Sequence, residues 1–482
     1  MSSTEHNYHA VGAFEASTFR EYRMEGGSKI KLYLTAVLVN LSSIAVGTAI
    51  GWTSPVSPKL SNKLLTDTPL GFVPSVQELS WIGALVPLGA LIAPFIAGPL
   101  ADKIGRKWTL LSSSLFFVLG LILFVTTNSV GQIYAGRFIQ GFGVGFVMTA
   151  QPMYIGEISS DDTRDTLGSF MQLFIVTGIL YVYAIGPYVS YHLLQYICLA
   201  VPVVFAVTFF FMPESPYYYI GKGKKKEASD ALKFLRGKSG EGIQDELTEI
   251  QVSVEESMRN KASPLDLVRS TGNLKALIIS AGLIIFQQLS GINVVLFYTQ
   301  DIFKDTGSEL KPELATIIIG VVQVAASGLT PIVVKKLGKR IMLLISAMCM
   351  CLAMGLMGLY FYLKVNDPAT AKSISWLPIA ALVIYIVLYC LGFGPLPWAV
   401  LGEMFPSNVK SYASSVVAST CWILGFLITL FFSSLVAAIG SAWSFWVFTI
   451  CCAVAIPFTF INVFETKGMS LQQIQDKLNG KS

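Results

Sequence analysis

From residue 286 to 298 the chain reads FQQLSGINVVLFY, which sets Gln287, Gln288, Ser290 and Asn293 in an apolar run with no charge. An amide both donates and accepts hydrogen bonds. Such a cluster suits a ligand whose hydroxyls need partners of both kinds. A neutral polyol gains nothing from a buried charge, whose desolvation costs of order several kcal/mol. Gln172 and Gln323 stand singly in other apolar runs, and Ile175 and Ile179 continue the helical face of Gln172 at i+3 and i+7. A lone amide serves equally well to join helices inside a membrane. A third run holds GFGPLPW, with Gly392, Gly394, Pro395, Pro397 and then Trp398. Two glycines and two prolines in midspan must bend or break a helix, and the freed backbone groups have to be buried in protein or line a cavity. Trp398, too deep in its run to be an interfacial residue, offers a ring face to the apolar side of a sugar. On a straight helix Gln288 and Asn293 would point about 140° apart. An unwinding near Gly291 lets both reach one cavity.

The elements that position these groups follow from composition. Of 482 residues 53% are hydrophobic and 13% charged, and the mean hydropathy is +0.62. A soluble domain is about one quarter charged, so lipid must be part of the solvent and a soluble enzyme is excluded. Runs long enough to span, roughly 20 residues each, lie near 30–53, 79–100, 108–127, 130–153, 167–188, 192–212, 274–300, 313–334, 341–363, 376–402, 411–437 and 443–463. The fold class expected is an all-α membrane protein of twelve helices. Residues 1–29 form a polar tail, 30–212 the first six-helix half, 213–273 an insert, 274–463 the second half and 464–482 a second tail. In the insert Ile243, Leu247, Ile250, Val254 and Met258 mark one helical face. The seven cysteines lie in or beside apolar runs and read as small buried hydrophobes.

Charge sets orientation. Lys103, Arg106 and Lys107, then Lys222, Lys224, Lys225 and Lys226, then Lys335, Lys336, Lys339 and Arg340 fall on one side. On the other, Asp301, Asp305, Glu309 and Glu313 face Lys304 and Lys311. Both termini are expected in the cytoplasm. The halves also echo each other. ADKIGRK recurs as VKKLGKR at an offset of 233, GEIS as GEMF at 246, and PESP as FETKG at 251. In carriers built from such repeats the substrate lies between them near the midplane.

GPLADKIGRK, PESP, QQLSGIN, GFGPLPW and FETKG, in this order over about residues 30 to 475, resemble the sugar porter branch of the major facilitator superfamily. Within it the chain looks most like insect facilitated trehalose and hexose transporters. The resemblance implies alternating access by a rocker switch, with a small neutral sugar as substrate and no cofactor or metal. It places Gln172, Gln287, Gln288, Asn293 and Trp398 at sugar-contacting positions, Gln323 where relatives often have an asparagine, and Trp422 at a second pocket tryptophan. It also makes Asp102, Arg106, Glu157, Arg164, Glu214, Glu403, Lys410 and Glu465 ion pairs that close the inner side and break when it opens. Exposed pairs are worth about 0–1 kcal/mol singly, so only a network would bias the states.

Proton-coupled porters of this branch carry an aspartate in the first helix facing an arginine of the fourth. Here Thr53 takes that place while Arg137 remains, and the only histidines are His6, His9 and His192. A proton relay needs titratable groups in the membrane, so passive transport of trehalose or glucose is expected over symport. A sugar sensor is disfavoured by the short stretch after Phe464. Several positions depart from the branch. Cys390 replaces a glutamate and Cys421 an asparagine, and Ile284, Ile285 and Phe286 stand where glucose-selective relatives are polar. Lys339 replaces an arginine, Tyr217 follows PESP, and Phe464 precedes ETKG. The plasma membrane is the expected location, with function as a monomer. The Asn40-Leu41-Ser42 sequon falls inside the first span.

Overall fold

The computed structural model describes residues 28–62, 67–160, 162–238, 241–259, 263, 265–306, 310–467, 469 and 471–480. His6, His9 and Glu309 lie outside them. Among the described residues every regular element is helical.

The first half comprises α1 (Ile30–Gly51), α2 (Thr53–Leu60), α3 (Val76–Ile92), α4 (Pro94–Ile104), α5 (Arg106–Val125), α6 (Val130–Ile158), α7 (Arg164–Ile185) and α8 (Tyr191–Phe209). α1 and α2 make one crossing, and α3 and α4 another, bent by 43° where Pro94 opens α4. A proline has no N–H to continue the ladder. α3 starts at a capping box in which Ser75 accepts from Glu78 N at 3.2 Å and Glu78 accepts from Ser75 N at 2.7 Å, satisfying two donors that a helix start leaves orphaned.

The insert holds α9 (Pro216–Gly221), α10 (Lys225–Arg236) and α11 (Gln244–Arg259). α10 ends at Gly237, whose φ of +60° is left-handed, the usual helix stop. Leu235 joins the first-half core of Leu32, Tyr154 and Phe205, and Arg236 donates to the Ile158 carbonyl at 2.8 Å. The insert therefore rests on the first half. The seam read along α11 stops short of its end: Ile243 and Ile250 are buried, while Met258 is exposed.

The second half comprises α12 (Asp266–Arg269), α13 (Thr271–Leu289), α14 (Ile292–Thr306), α15 (Pro312–Leu337), α16 (Lys339–Asn366), α17 (Pro368–Ser373), α18 (Leu377–Leu391), α19 (Leu396–Met404), α20 (Ser407–Asn462) and α21 (Leu471–Leu478). α20 has 56 residues, about 84 Å of helix against a hydrocarbon core of about 30 Å. Gly440, at φ +82° and ψ 162°, breaks it, so it makes two crossings. Length and apolarity alone select nine spans among the described residues, or ten with α3–α4. Dividing α20 at Gly440 and adding α6, whose Arg137, Gln140, Gln151 and Glu157 make it more polar, gives twelve.

The repeat is visible in one device. Gly105 and Gly338 precede α5 and α16 with φ of +106° and +84°. The Glu214 carboxylate accepts from the Arg106 and Lys107 backbone N–H groups at 3.1 and 3.0 Å, and Glu465 from Arg340 N at 3.1 Å. A negative group at a helix start is favourable. A Cβ at either glycine would stand 2.1 or 2.5 Å from that carboxylate and would strain the left-handed backbone, so a side chain here would push the cap away.

Candidate functional site

The second-half wall is built around two broken helices. α13 ends at Leu289 and α14 starts at Ile292, with Gly291 between them at φ +89°. A Cβ there would also press 3.0 Å from the Phe448 ring. α18 ends before Gly392, which approaches α16 so closely that a Cβ would meet Ser346 at 2.3 Å. Pro397 cannot give an N–H to the Phe393 carbonyl four residues back. Gln287 supplies that donor: its Nε2 gives hydrogen bonds to the Phe393 and Gly394 carbonyls at 2.6 and 2.7 Å. The amide nitrogen is thus committed to holding one break against the other.

The remaining amides form a chain. Gln288 Nε2 donates to Cys421 Sγ at 3.0 Å and weakly to Gln287 Oε1 at 3.4 Å, and Asn293 donates to Gln288 Oε1. The unwinding at Gly291 brings these two side chains together. Thiol sulfur is a weak acceptor, so Gln288 holds a donor that a better acceptor could take. Gly425 leaves space beside them. A Cβ there would lie 3.3 Å from Asn293 Nδ2, 3.5 Å from Gln288 Oε1 and 3.8 Å from Pro87 of the first half. Ser290, bonded to Tyr385 at 2.8 Å, turns into the second-half core instead.

Gln172 on α7 is half-buried and makes no hydrogen bond among the described residues. Ile175, Ile179 and Tyr183 on the same helix pack in one cluster with Leu296 and Trp422 of the second half. Tyr183 donates to the Leu296 carbonyl at 2.6 Å. Gln323 is buried with Oε1 unpaired. Trp398 is half-buried against the second-half core. Of the apolar triplet, Ile284 is fully buried in that core and Phe286 packs on Phe458 at 5.2 Å between centroids, so neither is placed to strip polarity from the cavity. Tyr183, Gly425 and Pro87 carry no motif in the sequence, and only the packing of α7, α20 and α3 brings them here.

Arg137 is fully buried. Its guanidinium donates to the Ile82 carbonyl at 2.9 Å, the Ala49 carbonyl at 2.7 Å, Gln140 at 3.3 Å and Thr53 Oγ1 at 3.0 Å. Trp52 lies 5.1 Å below it. No part of it reaches the surface, so it does not meet lipid headgroups. No carboxylate bonds to it among the described residues.

The halves meet on the side away from the insert, where Ser54 accepts from Gln300 N at 3.2 Å and Trp81 lies 5.9 Å from Phe426. On the insert side, positions 156 and 168 of α6 and α7 face open space. Arg106 stays paired with Asp102 at 3.2 Å and Glu157 at 2.9 Å, and Lys339 with Glu403. Each of these pairs lies within one half. Glu214 and Glu465 act as helix caps, and burial pushes the Glu214 carboxyl up, opposed by N–H groups of Ser215 and Lys107 and the charge of Arg106. Arg164 and Lys410, on opposite halves, are close enough to repel each other.

Residues 33–478 match the family described as sugar (and other) transporter. The chain is 36% identical over 477 residues to a facilitated trehalose transporter, Tret1, of Polypedilum vanderplanki, covering 96% of this chain and 93% of that one. It is 36% identical over 450 residues to a Tret1-2 homolog of Drosophila simulans, covering 93% and 91%. Among solved structures, the proton:xylose symporter XylE bound to 6-bromo-6-deoxy-D-glucose aligns with a TM-score of 0.74 at 23% identity, over 92% of this chain and 98% of that one. The inward open form of XylE from E. coli aligns with 0.74 at 21%, over 93% and 100%. At these identities the structures speak for the fold, which is that of the major facilitator superfamily. With a two-half helical fold, amides at the seam between the halves and a family match over nearly its whole length, this chain belongs to the sugar transporter family.

Proposed function

We propose that this chain carries a small neutral sugar, trehalose or glucose, across a membrane by facilitated diffusion with alternating access. The observation that carries the passive reading is Arg137, buried among two carbonyls, an amide and a hydroxyl. A proton-driven carrier needs a membrane group that gains and loses its proton as access alternates. An arginine does not deprotonate in proteins, and Thr53 cannot titrate in its place. The amide cluster supports a neutral polyol. The insect relatives, facilitated trehalose transporters, favour trehalose among such sugars.

In this reading Gln172, Gln288, Asn293 and Gln323 meet sugar hydroxyls, Trp398 and Trp422 offer ring faces, and Gln287 holds the wall in shape. Arg106, Glu157, Glu214, Glu403 and Glu465 keep each half rigid, while Arg164 and Lys410 separate the inner ends. Lysine-rich loops support cytoplasmic termini, and the plasma membrane is the proposed site of action for a carrier working as a monomer. Uptake of labelled trehalose and glucose into proteoliposomes, with and without a pH gradient, tests this. The expected result is equilibration of at least one sugar, unaffected by the gradient. Gradient-driven accumulation would establish symport instead, and uptake of neither sugar would remove the substrate assignment.

A further inference from the structure

Where α5 begins and α8 ends, on the insert side, a basic and aromatic cluster stands outside the sugar path. Lys107 is half-buried, and its ammonium lies 5.6 Å from the Trp108 ring centroid and 5.4 Å from that of Phe210. Among the described residues this ammonium donates to no oxygen. Trp108 near the start of α5 is 49% exposed, and Phe211 in the turn after α8 is 73% exposed. Arg340 holds the repeat-equivalent position in the second half, but its Nη2 donates to the Phe460 carbonyl at 2.7 Å. The second-half guanidinium is thus turned onto its own backbone, whereas the Lys107 ammonium is not.

Two more lysines border the same helix ends through Tyr218. Tyr218 of α9 donates to the Lys103 carbonyl at 3.0 Å, and Lys222 lies 5.6 Å over the same Tyr218 ring. Lys103, Lys222 and the run Lys224, Lys225 and Lys226 are all exposed. The carboxylates nearby are occupied: Glu214 by three backbone N–H groups, and Asp102 and Glu157 by Arg106. The positive charge of Lys103, Lys107 and Lys222 is left facing outward.

Exposed aromatics mark the level of lipid headgroups, and juxtamembrane lysines attract anionic ones. We propose that Lys103, Lys107 and Lys222, floored by Trp108 and Phe210, seat the phosphate of an anionic phospholipid in the leaflet on the insert side. Its acyl chains would run along Phe211 and Val207, both more than half exposed. The same phosphate chemistry could reach the site from solution, and the test separates the two sources.

The full-length protein is placed in phosphatidylcholine nanodiscs with a minor fraction of phosphatidylglycerol, and retained lipid is quantified by native mass spectrometry. The wild type should retain phosphatidylglycerol above its bulk share. Lys103→Ala/Lys107→Ala/Lys222→Ala should lose that enrichment, with association falling about fivefold for each lysine removed. Lys107→Arg should keep it. Sugar uptake of the triple variant in pure phosphatidylcholine checks its folding. Should it misfold, Lys107→Gln alone, expected to fall about fivefold, takes its place. No enrichment in the wild type, or equal enrichment in the variants, overturns the proposal. Release of the lipid by inorganic phosphate, with phosphate retained in its place, assigns the seat to a soluble ligand and overturns it as well.

Discussion

Gln287 and Gln288 are neighbours of the same type, yet the structure gives them different work. Both amide hydrogens of Gln287 are spent on carbonyls that the α18–α19 break leaves open, whereas the Gln288 amide nitrogen gives its hydrogens only to a thiol and a neighbouring amide. Leaving a buried carbonyl unpaired costs about 1–3 kcal/mol. Gln287→Ala is therefore expected to lower the apparent melting temperature and to abolish uptake together. Gln288→Ala should leave the melting temperature nearly unchanged while raising the sugar concentration for half-maximal uptake several-fold, since one good hydrogen bond is worth about 0.5–1.5 kcal/mol. Thermal unfolding in detergent beside uptake kinetics separates the two. Equal melting losses in both variants would show that the division of roles is wrong. The amides were legible in the sequence because they are rare in apolar runs. Their division was not, because it depends on which of them faces Pro397, a residue over a hundred positions away.

At the scale of elements, glycines decide where helices stop. Gly105, Gly291 and Gly338 all have positive φ, and each faces a neighbour that leaves no room for a Cβ. Gly291→Val should cost more than the ordinary penalty of replacing glycine in a turn. It strains the left-handed backbone and drives a branched side chain into Phe448. The expected outcome is loss of folded protein on size-exclusion chromatography. Gly98→Val, at a position with open space around it, should remain monodisperse. A well-folded Gly291→Val would mean that the α13–α14 break does not depend on this residue. The sequence points to Gly291 and to the GFGPLPW break through residue type alone. It cannot point to Gly392 packing on Ser346, since α16 and α18 meet only in the folded chain.

For the whole molecule, the insert-side ion pairs Arg106–Glu157 and Lys339–Glu403 each lie inside one half. Glu403→Gln removes the partner of Lys339 and Thr466, and hydrogen bonds to charged groups are worth about 1.5–3 kcal/mol. The expected outcome is a lower melting temperature with the balance between inward and outward access unchanged. Labelling of cysteines placed on either side of the seam measures that balance. A strong shift toward one side would instead restore the view that this pair works as a gate.

The sequence by itself determined the solvent, the number of crossings, the doubling of the chain and the residue types at its centre. Apolar length, charge asymmetry and motif spacing are local properties that survive unfolding. It also singled out Arg137, because a charge in a span is visible by composition, and Thr53, through the resemblance to proton-coupled porters that carry an aspartate there. Tertiary structure alone decided that Arg137 is satisfied by carbonyls of α1 and α3, and that Gln287 serves the wall more than the cavity. It alone decided which insert-side charges pair within each half. Each of these depends on which donors and acceptors meet across helices, and in a membrane a buried polar group takes whichever partner the packing brings within reach.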